Sequence, residues 1–228
     1  LRTPLTLPKS LLKKPIVVTG IERRSKFLVF RLEEGVFVSH LGMSGYWRAE
    51  TKRSEIKHDH VIIEWENGDL WVYNDPRRFG IFEFHPDLSE VKWFTQLGPE
   101  PFSDEFLAQP VIDKIRGSQR AIKSIIMDAK VMVGVGNIYA SEALYKAGIN
   151  PFKPGNRVSF ESLRRLLVVI RNTLSKAIDG GGSSIRDYVH ASGEKGKFQN
   201  EHLVYGRSGE KCTQCDSKIQ SKKIQGRS

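Results

Sequence analysis

Residues 131–151 run VMVGVGNIYASEALYKAGINP. Gly134-Val135-Gly136-Asn137 introduces a helix, because asparagine is a strong N-cap and the free N–H groups of a first turn attract anions. The helix is expected over Ile138 to Lys146, with Gly148 as its stop and Pro151 beyond it. Small residues on the approach let a phosphate reach the backbone. A glycine-rich connection between two helices, capped by Asn137, is the plainer alternative. The spacing is not that of a nucleotide P-loop, GxxxxGK(S/T).

Outward from this stretch the helical period continues on both sides. Ile122, Ile125, Ile126 and Ala129 fall on one helix face. Ser159 can cap a further helix, with Glu161 in its first turn, Leu163, Leu166, Leu167, Ile170 and Leu174 on one face, and Gly180-Gly181-Gly182 as its end. Upstream, residues 14–100 read as short strands. Phe27 to Leu32 turns at Glu33-Glu34-Gly35 into Val36 to Val38; Val61 to Trp65 turns at Asn67-Gly68 into Leu70 to Tyr73; Ile81 to Phe84 adds another. Strands followed by helices, rather than alternating with them, predict an α+β, multi-domain chain that begins with a sandwich or barrel. The boundary is placed near Gly98-Pro99-Glu100-Pro101, dividing the chain into residues 1–100, 101–200 and 201–228. Residues 180–200 are rich in Gly and Ser and read as a loop, and 201–228 are basic and carry both cysteines.

The 228 residues are 39% hydrophobic and 27% charged, which excludes a disordered chain, and no apolar run is long enough for a membrane-spanning helix. Thirty-six Lys and Arg against 26 Asp and Glu leave +10, a balance that favours a polyanionic partner, nucleic acid first. Two cysteines and no apolar leader in residues 1–15 predict a reducing, cytoplasmic setting.

Several residues could carry chemistry. Cys212-Thr213-Gln214-Cys215 has the spacing of half a tetrahedral zinc site, with a redox pair or no role as alternatives. Asp75-Pro76-Arg77-Arg78-Phe79-Gly80 puts two arginines beside an aromatic that either wedges into a base stack or returns to the core. His58-Asp59-His60 would set two histidines on one strand face, suited to a phosphate contact more than to a metal. His40 and Met43 share a glycine-containing turn, and Lys26 follows Arg23-Arg24-Ser25 at a strand start.

Taken in order, His40-Leu41-Gly42-Met43-Ser44-Gly45, Asn74 to Gly80, Val131 to Pro151, Gly180 to Arg207 and the CxxC resemble bacterial formamidopyrimidine-DNA glycosylase over almost the whole chain. The resemblance implies an N-terminal β-sandwich, a helix–two-turn–helix domain and a C-terminal zinc ribbon. It implies excision of 8-oxoguanine and ring-opened purines from double-stranded damaged DNA by a monomer, with β,δ-lyase activity at the abasic site. Lys26 matches the lysine that touches the phosphate beside the lesion and serves β-elimination; Arg227 matches the ribbon-tip arginine linked to δ-elimination. His40, His58, Arg77, Lys123 and Asn137 are the implied DNA contacts, Lys123 being the least secure match. Met43, Arg77 and Phe79 match the side chains that fill the gap left by the extruded base. Residues 180–197, with Ser183, Ser184, Ile185, Arg186 and Tyr188, match the lid over that base, and Cys212 and Cys215 supply two of four ligands to a structural zinc.

The chain departs from the pattern at both ends. The nucleophile of the resembled enzymes is an N-terminal proline followed by glutamate, whereas this chain starts Leu1-Arg2-Thr3-Pro4, and Pro4 and Pro8 are internal imides. The second cysteine pair is absent as well. A piece of an active enzyme, lacking turnover and holding zinc weakly, is the expectation. A non-catalytic module that binds damaged DNA and an endonuclease VIII-type glycosylase are the alternatives; the Met43 turn argues against the second.

Overall fold

The computed structural model describes residues 5–9, 11, 13, 15–54, 56–183 and 198–228. One compact unit runs to Thr95, and a second takes in residues 96–182 and 198–228.

Seven strands make the first unit: β1 (Val18–Arg24), β2 (Phe27–Leu32), β3 (Val36–His40), β4 (Tyr46–Glu50), β5 (Asp59–Glu64), β6 (Leu70–Asn74) and β7 (Ile81–His85). They form two antiparallel sheets, ordered β1-β2-β3-β7 and β4-β6-β5. Phe30, Phe37 and Phe82 of the first sheet pack against Val61 and Tyr73 of the second, with Trp47 and Trp71 at the margin, so the unit is a β-sandwich. Phe37 and Phe82 stack at 5.0 Å, and each such buried ring contributes about 2–3 kcal/mol. Val29, Val36 and Val38 point to the opposite face, where Val91, Leu88 and Phe94 cover them. Burial on both faces explains why β2 and β3 read as nearly continuous apolar runs.

Two strands have no such signature. β1 is an edge strand with mostly exposed side chains, and β4 carries Arg48 and Glu50, which pair with one another at 2.6 Å. Register against β2 and β6 makes them strands, not apolar alternation. The two histidines at the start of β5 also differ from expectation. His58 lies outside the strand at φ 77, while His60 turns its Nε2 to the Asp75 carbonyl at 2.9 Å, so they share no strand face.

The second unit holds α1 (Gln109–Arg116), α2 (Ile122–Ile126), α3 (Asn137–Lys146) and α4 (Phe160–Asp179). Ile112, Ile115, Ile122, Ile125, Ile126, Leu144, Leu163, Leu166 and Leu167 form its core. Ser159 caps α4 by accepting from the Ser162 N–H at 3.2 Å, and Gly180 follows its last residue. α2 is shorter than its spacing suggested: Ile126 is its last residue and Ala129 is exposed. Asn137 is not a cap either. Gly136 holds that position in extended conformation, and Asn137 is the first helical residue. No described helix is long and apolar enough to cross a membrane.

Candidate nucleic-acid interface

At one end of the sandwich two turns stand side by side. The first follows β3 and carries Met43; the second follows β6 and carries Arg77 and Phe79. Met43 is 67% exposed and Phe79 48%, although both are large and apolar. Phe79 therefore does not return to the core. The Arg77 guanidinium lies 5.1 Å from the centre of the Phe79 ring, a cation–π pair that presents a charge and an aromatic ring together.

Beneath these side chains the turns are tied together. Asp75, fully buried, accepts from Ser44 Oγ at 2.6 Å, from the Gly80 N–H at 2.7 Å and from the Arg77 N–H at 3.3 Å. Burial alone would raise its carboxyl pKa, but those hydrogen bonds, helped by His60 nearby, hold it below the usual value. Tyr73 donates to the Leu41 carbonyl at 3.2 Å, and burial, then the Asp75 charge, raises its phenol pKa. Gly42, at φ +69, lets the first turn approach Phe79 and Gly80 so closely that a Cβ would meet their backbone at 2.8 Å.

Lys26 and His40 stand beside these turns. Phe27 and His40 are register partners, and Lys26 is exposed on the turn ahead of Phe27. The Nδ1 of His40 accepts from the Gly42 N–H at 3.0 Å, which places its remaining proton on Nε2. His58 is fixed from behind. Its carbonyl accepts from the Asp75 N–H at 3.1 Å, and Arg48 grips Asp59 through two contacts of 2.6 and 2.7 Å. The Arg48 guanidinium holds the Asp59 carboxyl below its ordinary range.

Burial, then Lys26, keeps the His40 pKa below 6.5, and burial does the same for His202. Unfolding frees both rings to titrate normally, so below 6.5 the unfolded state takes up more protons. Stability is thus expected to be fully present above 6.5 and to fall as the pH drops toward the folded values. The lowered Asp59 and Asp75 act only below 3.8, in a separate window. Urea midpoints between about pH 7 and pH 5.5 check this. They should decline, and H40N, which keeps an acceptor for Gly42, should flatten the decline; an unchanged slope counts against it.

In the second unit, Asn137 opens α3, and no side chain caps that helix start. Its Oδ1 is buried with no hydrogen-bond partner among the described residues. The free N–H groups of an uncapped helix start suit a phosphate, whereas the unpartnered Oδ1 is itself an acceptor and calls for a donor. Arg227 sits on a tight turn in which Ile224 and Arg227 exchange backbone hydrogen bonds of 2.8 and 3.0 Å. Lys123 is nearly inaccessible and donates to the Ser228 carbonyl at 2.6 Å, while burial, then Arg227, lowers its pKa. Lys123, Arg120 and Arg227 line a cleft of about 250 Å³.

Cys212 and Cys215 lie on another turn of this unit. The Cys212 thiol is brought down to about 7, first by the Tyr145 hydroxyl 3.1 Å away and then by the Gln214 N–H. Among the described residues no three His, Cys, Asp or Glu side chains are grouped to hold a metal ion; two thiols alone would be half of the four donors a tetrahedral zinc needs. Of the lid residues, Ser183 is described; Ser184, Ile185, Arg186 and Tyr188 lie outside the described residues.

Four non-glycine residues among those described have left-handed backbones: Ser25, His58, Arg78 and Gln225. Each is one of the candidates named above or lies within two residues of one. Strain of this kind collects where a side chain must be aimed. Reasoning on the sequence missed the residues that do the aiming. Ser44, Tyr73 and Asp75 carried no role in it. Asp75 alone had a signal, as an acid inside an otherwise basic turn.

Comparison with known proteins bears on the same segments. Residues 5–82 match the formamidopyrimidine-DNA glycosylase N-terminal domain, and residues 97–189 match the H2TH domain of that enzyme. A formamidopyrimidine-DNA glycosylase of Bdellovibrio bacteriovorus is 45% identical over 230 residues, covering 100% of this chain and 84% of the relative. One from Idiomarina loihiensis is 41% identical, covering 93% and 79%. The crystal structure of the MutM (Fpg) protein from Thermus thermophilus superposes with a TM-score of 0.86 at 36% identity, covering 96% of this chain and 82% of that one. A complex of Lactococcus lactis Fpg with DNA containing an abasic site gives 0.86 at 37% identity, again covering 96% and 82%. The β-sandwich unit and the helical unit are thus the two parts that these proteins share with it, and the chain belongs to the formamidopyrimidine-DNA glycosylase family.

Proposed function

We propose that this protein acts in base excision repair on double-stranded DNA, excising oxidised purines such as 8-oxoguanine and formamidopyrimidines, with β,δ-elimination at the abasic site. One observation carries the reading. Met43 and Phe79 stand exposed on turns whose bases are locked, and Arg77 lies over the Phe79 ring. A base within a duplex is out of reach, and extruding it costs about a few kcal/mol. Apolar wedges that fill the vacated step offset that cost, and cations hold the bent backbone. Lys26, His40, His58, Asn137 and Arg227 are the proposed phosphate-side groups, with Lys26 serving β-elimination and Arg227 δ-elimination, while Lys123, buried and donating to the Ser228 carbonyl, braces the Arg227 turn rather than reaching a phosphate itself. The charge of +10 adds a salt-sensitive, sequence-independent part of the affinity. Residues 180–197 are the proposed lid. Cys212 and Cys215 are proposed donors to a structural zinc, whose role would be to hold the Arg227 turn. We place the protein in the cytoplasm, as a monomer.

None of these 228 residues matches the N-terminal proline that is the nucleophile of the resembled enzymes, so we infer that they supply the DNA grip of the reaction and not its Schiff-base amine. Incubation with an 8-oxoguanine duplex under borohydride tests it. Retained binding with no covalent adduct is the expected result, and the same polypeptide extended upstream by the Met-Pro-Glu segment should be trapped. An adduct with the unextended polypeptide would move the Schiff base to another amine. No binding preference for the lesion would remove the wedge reading.

A further inference from the structure

We propose that Asp75, acting with Ser44 and Tyr73, is a positioning residue for lesion discrimination: it sets the separation of the Met43 turn from the Arg77–Phe79 turn, so that both wedges meet one base step together. This rests on the reading just given.

The geometry is that of a clamp rather than a contact surface. Asp75 is 0% exposed and Tyr73 is equally buried, so neither reaches DNA. One carboxylate oxygen takes Ser44 Oγ, from the turn bearing Met43, and also the Arg77 N–H. The other takes the Gly80 N–H, just past Phe79. The Arg77 N–H is shared with Ser44 Oγ at 3.3 Å, which joins the turns a second time. Tyr73 reaches across to the Leu41 carbonyl, at the start of the Met43 turn. The Asp75 backbone takes part too. Its carbonyl accepts from the Arg78 N–H at 3.2 Å, and its N–H holds His58. A carboxylate serves here because it alone accepts from a hydroxyl and two backbone N–H groups at once; an amide would turn a donor toward one of them.

The expected consequence is selective. Wedges at a set spacing enter a step already loosened by damage without a further ordering cost, whereas wedges that float must be ordered on binding. Attraction to undamaged DNA comes from cations and does not depend on the clamp.

The test is fluorescence anisotropy of the 228-residue polypeptide with an 8-oxoguanine duplex and its undamaged counterpart at two salt concentrations. The variants are S44A, D75N, Y73F and, for comparison, F79A, with circular dichroism melts to establish folding. S44A and D75N should each lower the ratio of lesion to undamaged affinity by about five-fold or more, with undamaged-duplex affinity and its salt slope held within about two-fold. If D75N does not fold, S44A and Y73F, which keep the Asp75 carboxylate, carry the test. Ratios unchanged in S44A and Y73F while F79A collapses the ratio would overturn the positioning role and leave the wedge reading standing. Equal losses on both duplexes would also overturn it, since that is general destabilisation. A parent with no lesion preference would overturn both.

Discussion

Replacing Glu142 by alanine is expected to destabilise the second unit by about 3–5 kcal/mol, among the largest effects of any single substitution in the chain. Glu142 is fully buried on α3, and its carboxylate accepts three backbone N–H groups in a row. Oε2 takes Leu203 at 2.9 Å; Oε1 takes Val204 at 2.9 Å and Tyr205 at 2.8 Å. Alanine leaves all three donors without a partner, at about 1–3 kcal/mol for each that water cannot reach. Glutamine keeps one acceptor but turns an N–H toward Leu203, so E142Q should fall between the two. Urea unfolding measures the loss. Trypsin cleavage at Arg207 and Lys211 should quicken in parallel, because these three bonds tie the chain ahead of the cysteine turn to the helix. Melting equal to the parent's would sink the assignment.

Gly80→Ala should cost about 3 kcal/mol or more and abolish lesion preference in whatever folds. An alanine Cβ there would lie 1.7 Å from Tyr73 Oη and 3.0 Å from the His40 carbonyl. Tyr73 cannot swing aside: it is fully buried, and its hydroxyl is engaged by Leu41. Gly45 faces the same hydroxyl from the other turn, with a Cβ position 2.1 Å away. The two glycines therefore record how closely the turns close over one phenol. Y73F should rescue G80A only in part, since the ring carbon Cζ would still lie 2.7 Å from the new methyl. A double-mutant cycle in thermal unfolding measures that coupling. Additive losses, or a G80A protein as stable as its parent, would contradict the packing.

Much of the fold was open to reading from local signals. β2 and β3 announce themselves through apolar runs with a turn between them, and α4 through its leucine face, its serine cap and its terminal glycines. β1 and β4 did not, because an edge strand and an ion-paired strand lack apolar alternation. Ala129 matched a helical spacing that α2 does not extend to use, since the chain turns at Met127. Asn137 looked like a cap because asparagine usually is one; in the structure Gly136 takes that place and leaves the amide aimed elsewhere. At the candidate interface, residue types and order carried the resemblance, and the motifs supplied Met43, Arg77, Phe79 and Asn137 by name.

Composition, periodicity and motif order by themselves determined a basic chain, strands before helices, and the family to compare it with. Each is local information, repeated every two or four residues or contained within one short motif. Only the tertiary structure decided what holds those motifs in register. Ser44 and Asp75 are 31 positions apart, and Glu142 is 61 from Leu203. Glu142 stands four residues before Lys146, the spacing of an ordinary surface ion pair, and only the fold turns it inward to three backbone donors. A buried carboxylate leaves no periodic trace, because its partners are backbone N–H groups that every residue except proline carries. Its role is set by which segments the core brings within hydrogen-bonding distance.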